Sequence, residues 1–341
     1  MPQSDIGQTN RSITAKQVAD SAGVSTSAVS RTFTSGASVA PATRGKVLKA
    51  AKALGYQPNV MARSLMTGRT ELIGLVSNNF DNPAFMEIFD LFTRGLQKHG
   101  LRPLLANLSG TSDHEQAIAM LRQYNVDGVI VASSTVSPAF LEGCRVAHIP
   151  LVHAFGKVKR GVPTHVVGAQ NIQGGVLAAQ IMLDYGYRNI AFLGGPRSAN
   201  STSDRLKGFR IGLKKVGLTP ITEVFAPRYS HEDGRQFMQQ LLSDAKFEAV
   251  FCGDDILAIG ALDACKAAGR VVPDDIGILG FNDIAMASWT AYDLSTIRQP
   301  IAEITMAAVE LSIKLVTHRH MPSQEILFPC QAILRNTLRQ I

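Results

Sequence analysis

Side chains able to do covalent chemistry are present in this chain, but not in arrangements that use them. The four cysteines, Cys144, Cys252, Cys265 and Cys330, are widely scattered, and no CxxC or Cys/His spacing for a metal occurs. Reduced, buried thiols are the expectation. The eight histidines have no nucleophile partner evident in the sequence. GxSxG, P-loop and GxGxxG patterns are absent, and Gly194-Gly195-Pro196 is too short a glycine run to count. What remains is recognition chemistry, in two places. One is a polar stretch, Thr26, Ser27, Ser30 and Arg31, in a basic N-terminal region. The other is a pair of loops, Cys252-Gly-Asp-Asp255 and Gly280-Phe-Asn-Asp283. Acids and amides both bind hydroxyl pairs, but a carboxylate only accepts whereas an amide also donates. One member of each loop pair can instead cap a helix, with Asp255 and Asp283 the expected caps.

Charge placement separates the two places. Residues 1–69 hold nine Lys/Arg and two acids, a surplus of seven, which equals the net charge of the whole 341-residue chain. A small basic module on a neutral body is the electrostatic footprint of nucleic-acid binding. The 45% hydrophobic and 18% charged composition suits an ordered globular protein of two or three units. No run approaches the roughly 18 apolar residues of a spanning helix. The polar start MPQSDIGQTNRS lacks a signal-peptide layout and reads as a disordered tail (1–11) of a cytoplasmic protein.

Short helices must carry the polar stretch. Thr14-Ala-Lys-Gln17 has capping-box spacing, with Val18, Ala19 and Ala22 as an apolar face and Gly23 as the stop. Ser25 then caps a second helix, Thr26–Phe33, which buries Ala28 and Val29 and leaves Thr26, Ser27, Ser30 and Arg31 on a polar side. Two short helices joined by Ala22-Gly23-Val24 form a helix-turn-helix layout, whose second helix enters the major groove. A third helix starts at Pro41 and is expected to bury Val47, Leu48, Ala51 and Leu54. From Leu72 onward, apolar strands (72–76, 103–108, 128–132, 150–155, 165–168, 190–194, 249–253, 276–281) alternate with amphipathic helical segments. That alternation predicts two doubly wound α/β subdomains, changing over near Gly168–Asn171, with a ligand cleft at the carboxyl ends of the strands.

The runs ITAKQVADSAGVSTSAVSRTF, TRGKVLKAAKALGYQPNVMARSL and RTELIGLV resemble the lactose/galactose-repressor (LacI/GalR) family, and the resemblance continues across nearly the whole chain. It implies an all-α helix-turn-helix DNA-binding module (12–57), a hinge helix and linker (58–69), and a type I periplasmic-binding-protein-like effector and dimerisation domain (70–341). In that domain the N-subdomain takes about 70–169 and 299–322, and the C-subdomain about 170–298 and 323–341. Thr26, Ser27, Ser30 and Arg31 fall on DNA-reading positions, where Arg31 suits a bidentate contact to guanine. The hinge, Pro58-Asn-Val-Met-Ala-Arg-Ser-Leu65, implies DNA contacts from Asn59, Met61, Ala62 and Leu65, with Leu65 as a minor-groove wedge. A segment this short is marginal as an isolated helix. Where the family usually begins its third helix with a Ser or Thr cap, Ala40-Pro41 stands here.

In the body the resemblance implies effector contacts from Phe85, Arg205, Asp254, Asn282, Trp289 and Gln299. Arg205, in Asp-Arg-Leu-Lys-Gly-Phe209, falls on the family arginine that grips ligand hydroxyls or a carboxylate. Asn82 is open to capping the following helix rather than touching ligand, and Trp289 to serving as a stacking platform or as a packing residue. The family most often has Asn-Asp at Asp254-Asp255 and an aspartate at Asn282, so acid and amide are exchanged between neighbouring loops. The function implied is a sequence-specific regulator, a repressor, that binds a palindromic operator as a homodimer under control of a small polar, sugar-like metabolite. No cofactor, metal, membrane partner or catalysis is expected. A secreted sugar-binding protein would lack the basic module, and a regulator answering to a protein would not need polar cleft loops.

Overall fold

The computed structural model describes residues 13–34, 36–57, 64, 68–80, 82–108, 113–157, 163–244, 246–318 and 321–340. The predicted tail and the hinge positions Asn59, Met61, Ala62 and Leu65 lie outside them. The chain divides into two compact units between Thr70 and Glu71.

The first unit contains α1 (Ala15–Ala22), α2 (Thr26–Thr32) and α3 (Pro41–Leu54). Thr14 and Gln17 form the reciprocal capping box, and Gly23 ends α1 in the left-handed conformation at φ 63°. Ser25 caps α2 by accepting the Ala28 N–H. The α3 start has no side-chain cap, and Pro41 supplies the preset φ instead. Val18, Ala19, Val29, Val47, Ala50 and Ala51 make the core, with Phe33 and Tyr56 packed against it. Leu48 and Leu54 are not buried: they are 47% and 36% exposed, and Ala50 takes the inward position. Val47, Ala50 and Ala51, three and four residues apart, define a narrower stripe than the Val47, Leu48, Ala51 and Leu54 expected from sequence.

The second unit carries two six-stranded sheets. The first comprises β1 (Leu72–Ser77), β2 (Arg102–Asn107), β3 (Gly128–Ala132), β4 (Leu151–Ala154), β5 (His165–Ala169) and β11 (Glu325–Phe328), in the order β11-β5-β4-β3-β1-β2. Every pairing in it is parallel. Its helices are α4 (Ala84–Lys98), α5 (Asp113–Gln123), α6 (Pro138–Val146) and α11 (Ile301–Thr317). The second sheet runs β12-β10-β9-β8-β6-β7, where β6 is Ile190–Gly194, β7 Glu223–Phe225, β8 Ala249–Cys252, β9 Gly277–Asn282, β10 Thr296–Arg298 and β12 Gln331–Ile333. Only the β10–β12 pairing is antiparallel. Its helices are α7 (Asn171–Asp184), α8 (Asn200–Lys214), α9 (His231–Asp244) and α10 (Asp255–Ala267).

The assignment of 323–341 wholly to the second subdomain needs correction. Glu325–Phe328 pairs with β5 in the first sheet, and only Gln331–Ile333 joins the second. The apolar run read as one strand near 325–332 is broken by Pro329, which cannot donate to a ladder. Two short strands, β7 and β10, and helix α6 were not anticipated. Three-residue strands are too short to show a period.

Helix pairs on the second sheet pack at backbone contact. A Cβ on Gly208 of α8 would stand 1.9 Å from the Ile172 carbonyl oxygen of α7, and one on Gly175 of α7 would stand 2.1 Å from that of Arg205. This close approach fixes the α8 turn that bears Arg205. All four cysteines are free and buried. Among the described residues, no helix is long and apolar enough to cross a membrane.

Candidate effector cleft and DNA-reading helix

In the first unit, Thr26, Ser27 and Arg31 are exposed on α2 and Ser30 is half-buried. The Ser25 and Ser27 hydroxyls lie 2.9 Å apart, so the cap and the first polar turn are linked. Arg44, one of the basic residues, donates to the carbonyls of Thr32 and Ala37 and so ties α3 to the segment after α2.

In the second unit the carboxyl ends of both sheets face each other, and the loops after β1, β3, β6 and β8 meet at the two points where strand order reverses. A cavity of about 40 Å3 lies between them. The wall from the first sheet includes Ala84, Phe85, Ile88, Phe155 and Ala169 together with the polar Asn79, Asn82 and Ser134, and that from the second includes Arg205, Asn171, Asp254, Asn282 and Gln299. The structure therefore brings together five of the six expected effector residues. The sixth, Trp289, is 53% exposed, stacks on Tyr292 and does not line the cavity.

Arg205 organises the polar wall. It is 4% exposed, and its guanidinium lies 3.7 Å from the Phe281 ring centroid. Its Nε donates to Asn171 Oδ1 (2.9 Å), one Nη to the Gly253 carbonyl (2.6 Å) and the other to Asn282 Oδ1 (3.3 Å). Asn282 Oδ1 also accepts from Gln299 Nε2 (2.7 Å), while its Nδ2 donates to Asp254 Oδ2 (2.8 Å). These roles are forced: a guanidinium only donates and an ionised carboxylate only accepts, so the amide between them must turn its oxygen to Arg205 and its nitrogen to Asp254. Asn282 is held at φ 125° and Asp283 at φ 60°, a strained junction of the kind that collects at functional sites. Asp283 is clamped there by Arg298 and Arg335.

The acid pair is used differently from the expectation. Asp254, not Asp255, caps α10, its Oδ1 accepting the Ile256 N–H at 3.0 Å. Asp255 is fully buried, taking the Thr296 hydroxyl (2.6 Å) on one oxygen and the Ile284 N–H (2.9 Å) on the other. Nor does Asp283 cap a helix, because its two oxygens belong to the arginine clamp. Burial pushes the Asp254 carboxyl above its ordinary value, opposed mainly by the charge of Arg205. Burial, aided by neighbouring Asp254, drives Asp255 up to about 7 against its two hydrogen bonds. Burial also pulls the Arg205 guanidinium below its ordinary range, and Tyr229 and then Asp254 oppose that fall.

Among the described residues, bonds cross between the subdomains at the cleft. Asn82 Nδ2 donates to Asp254 Oδ2 (3.0 Å), Lys157 pairs with Asp204 (2.6 Å), and the Asn200 N–H donates to the Ser134 carbonyl (3.1 Å). At the start of α4, Asn82 Oδ1 accepts the Ala84 N–H, the cap-like role open to it from sequence, while its amide nitrogen is taken by Asp254. Sequence reasoning missed Phe155, Asn171 and Tyr229. It also missed the Asn78–Ser133–Thr135 network after β1 and β3, where Asn78 donates to Thr135 and accepts from Ser133, both at 2.6 Å. Asn171 carried a signal, as a polar residue following a strand and opening a helix. Tyr229, whose buried hydroxyl meets Ser201 and Thr202, carried none.

Comparison with known proteins agrees with this geometry. Residues 14–59 match the model for bacterial regulatory proteins of the lacI family, and residues 179–338 match that for a periplasmic binding protein-like domain. The chain is 32% identical over 317 residues to the HTH-type transcriptional repressor PurR of Edwardsiella ictaluri, covering 92% of this chain and 93% of that protein. It is 30% identical over 326 residues to the HTH-type transcriptional regulator DegA of Bacillus subtilis, covering 94% and 96%. Among solved structures, the lac repressor dimer bound to operator and the anti-inducer ONPF superposes with a TM-score of 0.85 at 25% identity, over 96% of this chain and 99% of that one. The complex of the transcriptional regulator CelR with cellobiose superposes with a TM-score of 0.73 at 27% identity, over 95% and 99%. From the capped helix-turn-helix through the two facing sheets to the whole-length match, the chain belongs to the LacI/GalR family of transcriptional regulators.

Proposed function

We propose that this chain is a repressor that binds a palindromic operator as a homodimer and is controlled by a small polar metabolite, a sugar or sugar derivative, in the cleft between its two sheets. The observation that carries the effector half is Arg205, a buried guanidinium lining a cavity built from both subdomains. Thr26, Ser27, Ser30 and Arg31 would read the operator, and Phe85, Arg205, Asp254, Asn282 and Gln299 the effector. Trp289 is left outside the contact set, because it stands away from the cavity. Relatives support the reading: structures of similar regulators contain operator DNA, cellobiose or ribose.

The cavity explains how binding becomes a signal. Metabolite pockets span roughly 300–1,000 Å3, far above the 40 Å3 present. Admitting an effector must therefore separate the walls and break cross-cleft bonds such as Asn82–Asp254. The effector thus favours one arrangement of the sheets over another, and only that differential can alter DNA affinity. The test is to select an operator from a random duplex pool and titrate its complex with sugars and sugar acids. A change in operator affinity with at least one of them is expected. An affinity indifferent to the whole panel would remove the metabolite half of the proposal.

A further inference from the structure

We infer that the effector of this cleft carries a carboxylate, received by Arg205, on a flat-faced body that lies against Phe85 and Phe155. This rests on the reading of the cleft as the effector site. The guanidinium has five N–H donors, and the protein accepts three of them, through Asn171, Gly253 and Asn282. The other two N–H groups of this 4%-exposed cation meet no acceptor among the described residues, and Arg205 lines the cavity. All three protein acceptors are neutral oxygens. The loop after β9 meets Arg205 with the amide oxygen of Asn282 and not with a carboxylate.

Asp254, the acid of the exchanged pair, is already committed. It receives the Ile256 N–H, Asn82 and Asn282, and it stands at the α10 N-terminus, where the helix dipole offsets its charge. It does not compete for the two free guanidinium donors. Buried cations are costly unless paired, and a carboxylate is the acceptor whose geometry fits two N–H groups at once. The facing wall offers the aromatic faces of Phe85 and Phe155 beside the neutral polar groups of Asn79, Asn82 and Ser134, with Phe85 backed by Phe89 at 6.2 Å, which suits the face of a ring more than a second charge. A sugar acid and an aromatic acid share this chemistry.

Formate is the minimal probe, since a 40 Å3 cavity takes about three water-sized atoms. The full-length protein is titrated with formate and with formamide at constant ionic strength, and thermal stability is followed. The same titrations use the paired exchange Asp254→Asn/Asn282→Asp, which returns a carboxylate to Arg205 without changing the net charge. We expect saturable stabilisation by formate, in the millimolar range that so small a ligand can reach, none by formamide, and at least tenfold weaker formate binding in the exchanged variant. D-glucuronate against D-glucose, and benzoate against benzamide, then distinguish the bodies; tighter binding of either acid than of formate supports the inference. Formamide acting as well as formate, no saturable formate effect, or an unchanged formate affinity in the exchanged variant overturns it. If D-glucose alone binds and the exchange alters its affinity, the carboxylate inference falls and the cleft reading stands. If any of the probes binds but none responds to the exchange, both fall.

Discussion

Arg205, Asn282 and Asp254 form a chain in which each hydrogen bond fixes the polarity of the next, from guanidinium to amide oxygen, then amide nitrogen to carboxylate. The sequence showed an acid at Asp254 and an amide at Asn282, but not which acid would cap α10. Both Asp254 and Asp255 are chemically able to cap, and only the three-dimensional placement of Thr296 and Ile284 draws Asp255 inward. A pH signature follows from that burial. The Asp255 carboxyl titrates near pH 7 in the folded protein and near its ordinary value, about 4, in the unfolded chain. Between those values the folded state holds the proton and the unfolded state does not, so this group lowers stability progressively as pH rises through the window. Asp255→Asn should remove that slope. Its melting temperature relative to wild type should climb between about pH 4 and 7 and then level off. A difference that is flat across the window would contradict the assignment.

Elements with long, regular patterns were legible from sequence: the capped α1 and α2 and the strands Gly128–Ala132 and Ile190–Gly194 fall where their residues place them. Elements whose existence depends on partners were not. β7 and β10 are three residues each and exist by pairing with β6 and β9. The split of the C-terminal segment turned on Pro329, whose missing N–H has meaning only once the neighbouring strand is known. Glycines in helices were another overlooked signal. Gly175 and Gly208 would have seemed helix-weakening, yet they let α7 and α8 touch and so place Arg205. Gly208→Ala should lower stability by about 1–3 kcal/mol or more, because the new methyl meets backbone that cannot swing aside. Gly45 in α3 faces open space, so Gly45→Ala should stabilise the first unit by about 0.5–1 kcal/mol through helix propensity alone. Urea denaturation of both variants checks the opposite signs, and a neutral Gly208→Ala would contradict the packing argument.

At the scale of the molecule, function is divided with charge. The surplus of seven lies in residues 1–69, while the rest of the chain balances. Binding of the full-length protein to DNA should therefore be steeply salt-dependent, falling roughly a thousandfold or more between about 50 and 200 mM salt if six or more phosphates are neutralised. A shallow slope in filter-binding or anisotropy assays would count against a basic module that grips the backbone. In the proposed mechanism, the cleft around Arg205 governs the hold of that module on DNA. The most direct measurement is operator affinity, by fluorescence anisotropy, with and without a saturating effector, for wild type and Arg205→Ala. An effector-dependent change of about fivefold or more is expected in wild type, lost in Arg205→Ala even though that variant still binds operator when no effector is present. The same effector response in both proteins would contradict it.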